Sequence, residues 1–141
     1  MSPIYFKFFP RNLILKGFQY KLGNNKDTIP FNSERQCTKS GLHYTNIHNL
    51  PKYEDYGAMI GIIEIPKQVP IISMDDKYKS PEINILELYP YEEFLLREDL
   101  YLSEKKKITD INFIIRMPYL QTPEICKLAV QLSGFNLKYV C

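Results

Sequence analysis

The chain has 141 residues, 45% of them apolar and 24% charged, with a formal net charge of +2. That is about one ordinary domain with enough apolar surface for a core that needs no staple, and it excludes a disordered chain. So small a net charge gives no general pull toward nucleic acid.

No window reaches the ~18 uninterrupted apolar residues of a membrane helix. The opening "MSPIYFKFFPRN" meets Lys7 and Pro10 before a signal-peptide core can form. Cys37, Cys126 and Cys141 are an odd set without C-x-x-C spacing, which fits reduced thiols. The chain is expected to be soluble and intracellular, in a host cytoplasm or a virion, and not secreted.

In chain order, "IYFKFF" (residues 4–9) reads as a short aromatic strand closed by Pro10. "GFQYKLG" (residues 17–23) alternates Phe18, Tyr20 and Leu22 against Gln19 and Lys21, the two-residue period of a half-buried strand. "NNKD" after Gly23 is turn chemistry, and residues 24–40 read as a surface loop. "GLHYT" (residues 41–45) is a strand with Leu42 and Tyr44 on one face and His43 on the solvated other. "NIHNLPKYEDYG" is a helical turn or two, with Asn49 as cap, Pro51 in the first turn and Gly57 as stop. "AMIGIIEIP" is the strongest strand, "VPIIS" is another, and "INILELY" alternates impurely, so that it fits a strand or a helix.

The texture changes near Pro90. "YEEFLLREDLYL" has helix-like spacing, and "ITDINFIIRM" sets Ile108, Ile111 and Ile115 on one helical face. "TPEICKLAVQL" is the clearest helix: Thr122 caps it, Pro123 opens it, Glu124 suits the dipole, and Ile125, Leu128, Ala129 and Leu132 line one side. Ser133 and Gly134 stop it, and a short further element follows. The expected fold class is α+β: a mainly antiparallel β part, residues 1–89, packed with a small helical part, residues 90–141, on one shared core.

Charge is unevenly spread. Residues 1–40 carry seven Lys/Arg against Asp27 and Glu34, whereas residues 81–100 carry Arg97 against six carboxylates. Opposed patches can pair within a fold or between copies of it. With eleven Tyr and eight Phe, this makes Tyr5, Lys7, Arg11, Lys16, Tyr20, Lys21, Glu92, Glu93, Glu98 and Asp99 the candidate interaction surface.

Chemistry-bearing motifs are few. Cys37, His43 and His48 are spaced C-x5-H-x4-H, looser than zinc-ligand pairs and one ligand short, and Cys37 with His43 would need a folded-back strand to act as a nucleophile and base. Cys37 reads as a small hydrophobe and both imidazoles as bystanders. Glu92–Glu93 and Asp75–Asp76 are adjacent in sequence and make no acid/base couple, and no phosphate loop is present. No catalytic residue, metal or cofactor is expected.

Two stretches carry a resemblance. Gly17, Phe18, Tyr20, Gly23, Pro30, Phe31, Cys37, Gly41, Leu42, Tyr56, Gly57 and Pro66 match a G-F-x-Y-x-x-G strand, a P-F loop, a C-x-x-G-L-aromatic strand and a Y-G before an Ile/Val strand. This resembles the N-terminal module of uncharacterised giant-virus, mimivirus-like proteins often described as ankyrin-repeat proteins. The resemblance covers about residues 5–75, and His43 departs from its usual "GGLYF". Glu124, Cys126, Ala129, Val130, Gly134, Leu137 and Val140 resemble one unit of a short helical repeat of unknown function. Such units bury their faces against neighbours, so this one is expected to pack on the preceding helix or to precede further units.

"GLHYT" is also similar to a strand of ADP-ribosyltransferases, which would cast Arg11 with Glu64 or Glu87, and Tyr44 as a ring-stacking residue. Rings interleaved with cations over residues 5–21 would alternatively suit single-stranded nucleic acid. The favoured expectation is a non-catalytic interaction or structural protein of a large DNA virus. It binds another protein or itself, away from membranes.

Overall fold

The computed structural model describes residues 2–34 and 40–132 of the chain. The fold is α+β, with a β-rich N-terminal part. The chain divides into two compact units, Met1–Pro90 and Tyr91–Cys141. Among the described residues, no helix is long and apolar enough to cross a membrane.

In the first unit, "YFKFF" forms β1 (Tyr5–Phe9) and pairs antiparallel with β6 (Met59–Glu64), Lys7 standing opposite Gly61. The hairpin β2 (Ile14–Leu15) and β3 (Phe18–Gln19) follows β1, then β4 (Gly23–Lys26) and β5 (Leu42–Tyr44). After β6 come β7 (Ile72–Ser73), β8 (Tyr78–Ser80) and the long β9 (Glu82–Pro90). Two sheets result besides the hairpin, ordered β1-β6-β9-β4 and β5-β8-β7. Phe6 and Thr45 exchange both main-chain hydrogen bonds at 2.8 Å, which links β1 to the end of β5.

Strand alternation puts Tyr5, Lys7 and Phe9 on one face of β1 and Phe6 and Phe8 on the other. Both faces are covered. Phe9 packs with Tyr20, Leu42, Tyr44, Ile63, Ile83 and Ile85, and Tyr5 lies against that cluster. Phe6, Phe8, Ile60 and Ile62 are also buried. Each such side chain contributes on the order of 1.5–3 kcal/mol by leaving water.

Three local expectations are corrected. "GFQYKLG" is not one strand: Phe18–Gln19 ends a short hairpin, and the chain re-enters the sheet at Gly23. "NNKD" supplies β4 rather than a turn. Asn24 donates across the sheet to Glu82 at 2.6 Å and Asn84 at 2.8 Å, while buried Asn25 bonds the main chain of Lys21 and Gly23. Side-chain amides here replace the apolar contacts that strand propensity relies on. Asn49 makes no side-chain cap for the 3-10 turn Leu50–Tyr56; the Asn46 side chain takes the Asn49 N–H instead, at 3.0 Å.

"INILELY" belongs wholly to β9. Its impure alternation has a physical cause: Ile62 faces Glu87 and Ile63 faces Ile85, so Leu86 is an extra residue, a β-bulge. The bulge flips the parity of the strand. Ile83 and Ile85 enter the core before it and Leu88 packs on that core after it, while Leu86 stays exposed.

Gly57 does not stop the turn by a left-handed backbone, because its φ of 171° is extended. It is required by contact: a Cβ there would lie 2.1 Å from the Phe9 carbonyl oxygen. Gly41 does need its left-handed φ of +90°.

In the second unit, "YEEFLLREDLYL" breaks into α1 (Tyr91–Leu96) and α2 (Leu102–Lys105), joined through Tyr101 at φ 52°. Lys105 is fully buried, and its amine donates to the main-chain carbonyls of Phe94 and Arg97 at the end of α1. The Ile108–Ile111–Ile115 stripe shrinks to α3 (Ile111–Ile114), capped by the Asp110 carboxylate accepting from Asn112 N at 3.0 Å. Ile108 and Ile115 are buried on either side of it. The last helix, α4, spans Pro123–Leu132, with the Thr122 hydroxyl accepting from Ile125 N at 3.2 Å. On its expected apolar side Ile125 is half-buried and Leu128 exposed. The side chains of Ala129 and Leu132, and everything expected from Ser133 to Cys141, lie outside the described residues.

Candidate functional site

A cavity of about 610 Å³ opens in the first unit, a volume typical of small-ligand sites. Its wall comes from β1, the β2–β3 hairpin, the Asp27–Ile29 segment, β5 and the Tyr53–Tyr56 turn. Phe6, Phe8, Phe18, Tyr20, Tyr44, Tyr53 and Tyr56 supply rings, and Lys7, Lys16 and Lys77 supply cations. Asp27 is the one carboxylate among the described lining residues. It is engaged locally, accepting from Gly41 N at 2.6 Å and Ile29 N at 3.3 Å.

Lys7 is the most constrained cation. Strand parity sends its side chain to the core face, where the amine donates to the His43 carbonyl oxygen. The amine sits 5.3 Å from the centre of the Tyr20 ring and 5.8 Å from that of Phe9. Among the described residues no carboxylate pairs with it. Burial, then the positive charges of Lys16 and Lys77, pull its pKa down from 10.5 to about 7.

His43 lies on β5, in the other sheet. Burial first, then Lys7, Lys77, Lys16 and Lys79, lower its pKa to about 4. The imidazole is therefore neutral at ordinary pH, and its Nε2 is buried without a hydrogen-bond partner. Tyr44 beside it is buried, its hydroxyl 2.6 Å from Ser80 Oγ and its ring stacked on Tyr78 at 5.7 Å. Burial raises the Tyr44 and Tyr20 phenols above their ordinary value, so both stay neutral.

Several sequence expectations change here. Lys7 and Tyr20 are not on an open surface: they are 8% and 5% exposed. The Tyr20 ring is held 5.0 Å from Phe9 and 4.6 Å from Phe18. His43 is half-buried and lines the cavity rather than standing on a fully solvated face. The rings of Phe6, Phe8, Phe9 and Tyr20 are buried and cannot offer open stacking faces to a nucleic-acid strand. Tyr5 is half-buried between Tyr44 and Tyr78, at 5.0 and 5.3 Å.

Arg11, Lys16 and Lys21 are exposed, and of these only Lys16 reaches the cavity. Arg11, Glu64 and Glu87 are not among its lining residues, so the constellation that a transferase would need is not gathered there. Cys37 lies outside the described residues, His48 is exposed, and no group of three potential ligands that could hold a metal occurs among the described residues. In the second unit Glu92 and Glu98 are exposed. Glu93 and Asp99 instead bind Arg97 at 2.8 and 2.6 Å, which cancels part of the acidic run.

Lys77 and Tyr53 were invisible as site residues in the sequence. Lys77 follows Asp75 and Asp76 and reads there as one charge in a neutral turn.

The cavity lies wholly within a span that a family model matches. That model is described as a domain of unknown function (DUF7666) and covers residues 4–97. The chain belongs to the DUF7666 family. The DUF7666 span contains Lys7, Lys16, His43 and Lys77, and also the residues that carry the giant-virus resemblance. No curated protein and no solved structure matches the chain.

Proposed function

We propose that the DUF7666 domain of this chain is a non-catalytic binding module whose ligand occupies the Lys7–His43 cavity. The ligand is a small molecule with a flat apolar body and an anionic group. The observation that supports this reading is the composition of the wall: three lysines and seven rings around 610 Å³, with a single carboxylate that is already bonded to backbone amides. The less buried rings of Phe18, Tyr53 and Tyr56 give a flat body contact area, and cations in a partly dehydrated wall favour an anion far more than they would in water.

Calorimetric titration with aromatic phosphates such as pyridoxine 5′-phosphate tests the reading. One saturable site per chain is expected, with affinity falling as salt rises. Absence of any saturable binding at millimolar ligand would refute it.

A second reading concerns the helical unit. Leu128, on the expected apolar side of α4, is 46% exposed, and a repeat-like helix buries its face against its own kind. We propose self-association through this helix. Light scattering reporting one chain at every concentration and ionic strength would remove it. The proposed setting is a large DNA virus, in host cytoplasm or virion, supported by the resemblance of residues 5–75. Mass spectrometry of purified virions and infected cytoplasm tests that setting.

A further inference from the structure

Lys7 and Lys105 are both buried lysines bonded to main-chain carbonyls, but they are provided for differently. The Lys105 amine has two carbonyl acceptors, Phe94 and Arg97, and its ring neighbours Phe94 and Tyr119 lie 4.1 and 5.1 Å away. Lys105 is not among the residues that line the 610 Å³ cavity. The Lys7 amine has one carbonyl acceptor, His43, with the Tyr20 and Phe9 rings farther off at 5.3 and 5.8 Å, and Lys7 is one of the residues that line the cavity.

An ammonium has three N–H bonds to satisfy, and one acceptor is poor provision for a buried charge. A neutral amine has two N–H bonds and a lone pair. With one N–H on the His43 carbonyl, the remaining N–H and the lone pair are uncommitted among the described residues. Among the described residues no carboxylate pairs with Lys7, and its neighbours in charge are Lys16 and Lys77. A desolvated lysine beside other cations is the arrangement that turns an amine into a nucleophile.

We propose that Lys7 is a covalent docking point that captures an aldehyde-bearing, anionic ligand in this cavity as a reversible imine. The proposal rests on the binding reading above and adds a bond to it. The amine lone pair attacks the carbonyl carbon, and the C–N bond forms. The carbonyl oxygen takes one proton from the amine nitrogen and one from solvent and leaves as water as the C=N bond closes, and the second proton of the nitrogen returns to solvent. Amine and aldehyde give imine and water, so neither oxidant nor reductant is consumed, and hydrolysis reverses the step. Lys16 and Lys77 hold the anionic group, and the half-buried Phe18 ring flanks the flat body. A pKa near 7 supplies free amine at neutral pH, whereas an exposed lysine near 10.5 supplies almost none.

The test uses the full chain with pyridoxal 5′-phosphate as probe, followed by borohydride reduction and peptide mapping. Lys7 is expected to carry about tenfold more label than exposed lysines such as Lys52, Lys67 and Lys107, at about one label per chain. Excess pyridoxine 5′-phosphate, which has no aldehyde, should protect Lys7. Lys7→Arg keeps a cation but cannot condense, and should lose the dominant label. Should that variant fail to fold, the map of the unaltered chain still decides. Label spread over surface lysines with Lys7 unmodified overturns the proposal. If pyridoxine 5′-phosphate nevertheless binds saturably, the binding reading stands and only the covalent step fails; if it does not bind, both fail.

Discussion

The Lys7 amine donates to the main-chain oxygen of His43, joining the middle of β1 to the middle of β5 across 36 positions of sequence. The bond holds the amine against the Tyr20 and Phe9 rings and places its charge close enough to His43 to depress the imidazole. Local strand geometry thus creates a basic, ring-lined wall from residues that alternation alone would assign to a plain sheet.

The first expectation concerns pH. Lys7 and Lys105 have folded-state values of about 7 and about 8, below the lysine value of 10.5. Between those limits the unfolded chain binds more protons than the folded one, so stability rises with pH. Burial raises Tyr20, Tyr44 and Tyr119 above 10.0, so their contribution is complete below that pH and is lost above it. Urea denaturation of the ligand-free chain should show stability climbing from pH 7 to about 9.5 and falling beyond about 10. A flat or declining profile from pH 7 to 9.5 contradicts the buried-amine account.

Lys105→Met keeps the buried stem and removes the donor to two carbonyls. Leaving such groups without partners should cost about 2–4 kcal/mol. Lys107→Met breaks only the exposed pair with Glu104 at 2.9 Å and should cost under about 0.5 kcal/mol. Denaturant midpoints of equal size for the two variants would show that Lys105 is not a structural donor.

Gly57→Ala forces a Cβ against the Phe9 carbonyl, so β1 or the 3-10 turn must move, at about 3 kcal/mol. Gly17→Ala meets open space and bears only the strain of φ +80°, about 1–2 kcal/mol. Thermal unfolding of the pair separates crowding from backbone conformation, and a milder effect at Gly57 than at Gly17 would contradict the contact.

Lys16→Gln and Lys77→Gln remove charge from the cavity wall while keeping length. Each should weaken pyridoxine 5′-phosphate binding about three- to tenfold and reduce its salt dependence. Lys67→Gln, exposed and absent from the wall, is the control and should leave affinity as it was.

Strands with one clear period were legible in the sequence. β1, β5 and β6 follow from aromatic and Ile-rich runs bounded by Pro or Gly, and α4 from Thr122, Pro123 and its apolar spacing. β2, β4 and β8 are not legible as strands, and β9 fits a strand or a helix. β4 is built of Gly23, Asn24, Asn25 and Lys26, whose pairing depends on Glu82 and Asn84 far along the chain. β9 changes face at Leu86, and only its partner strand reveals the bulge. The α1–α2 region read as one helical pattern, yet the left-handed Tyr101 and the inserted Lys105 amine divide it.

What the sequence determined by itself was the class of the fold and the alternation that gives each strand its two faces. These depend on neighbours a few residues apart. Only the tertiary structure decided which face is wet. Lys7 and Tyr20 read as amphipathic surface residues, but packing of β1 against the core buries both, and His43 is half-buried. Solvent exclusion and the gathering of Lys7, Lys16 and Lys77 around one cavity are properties of distances in space, and no local pattern of residues encodes them.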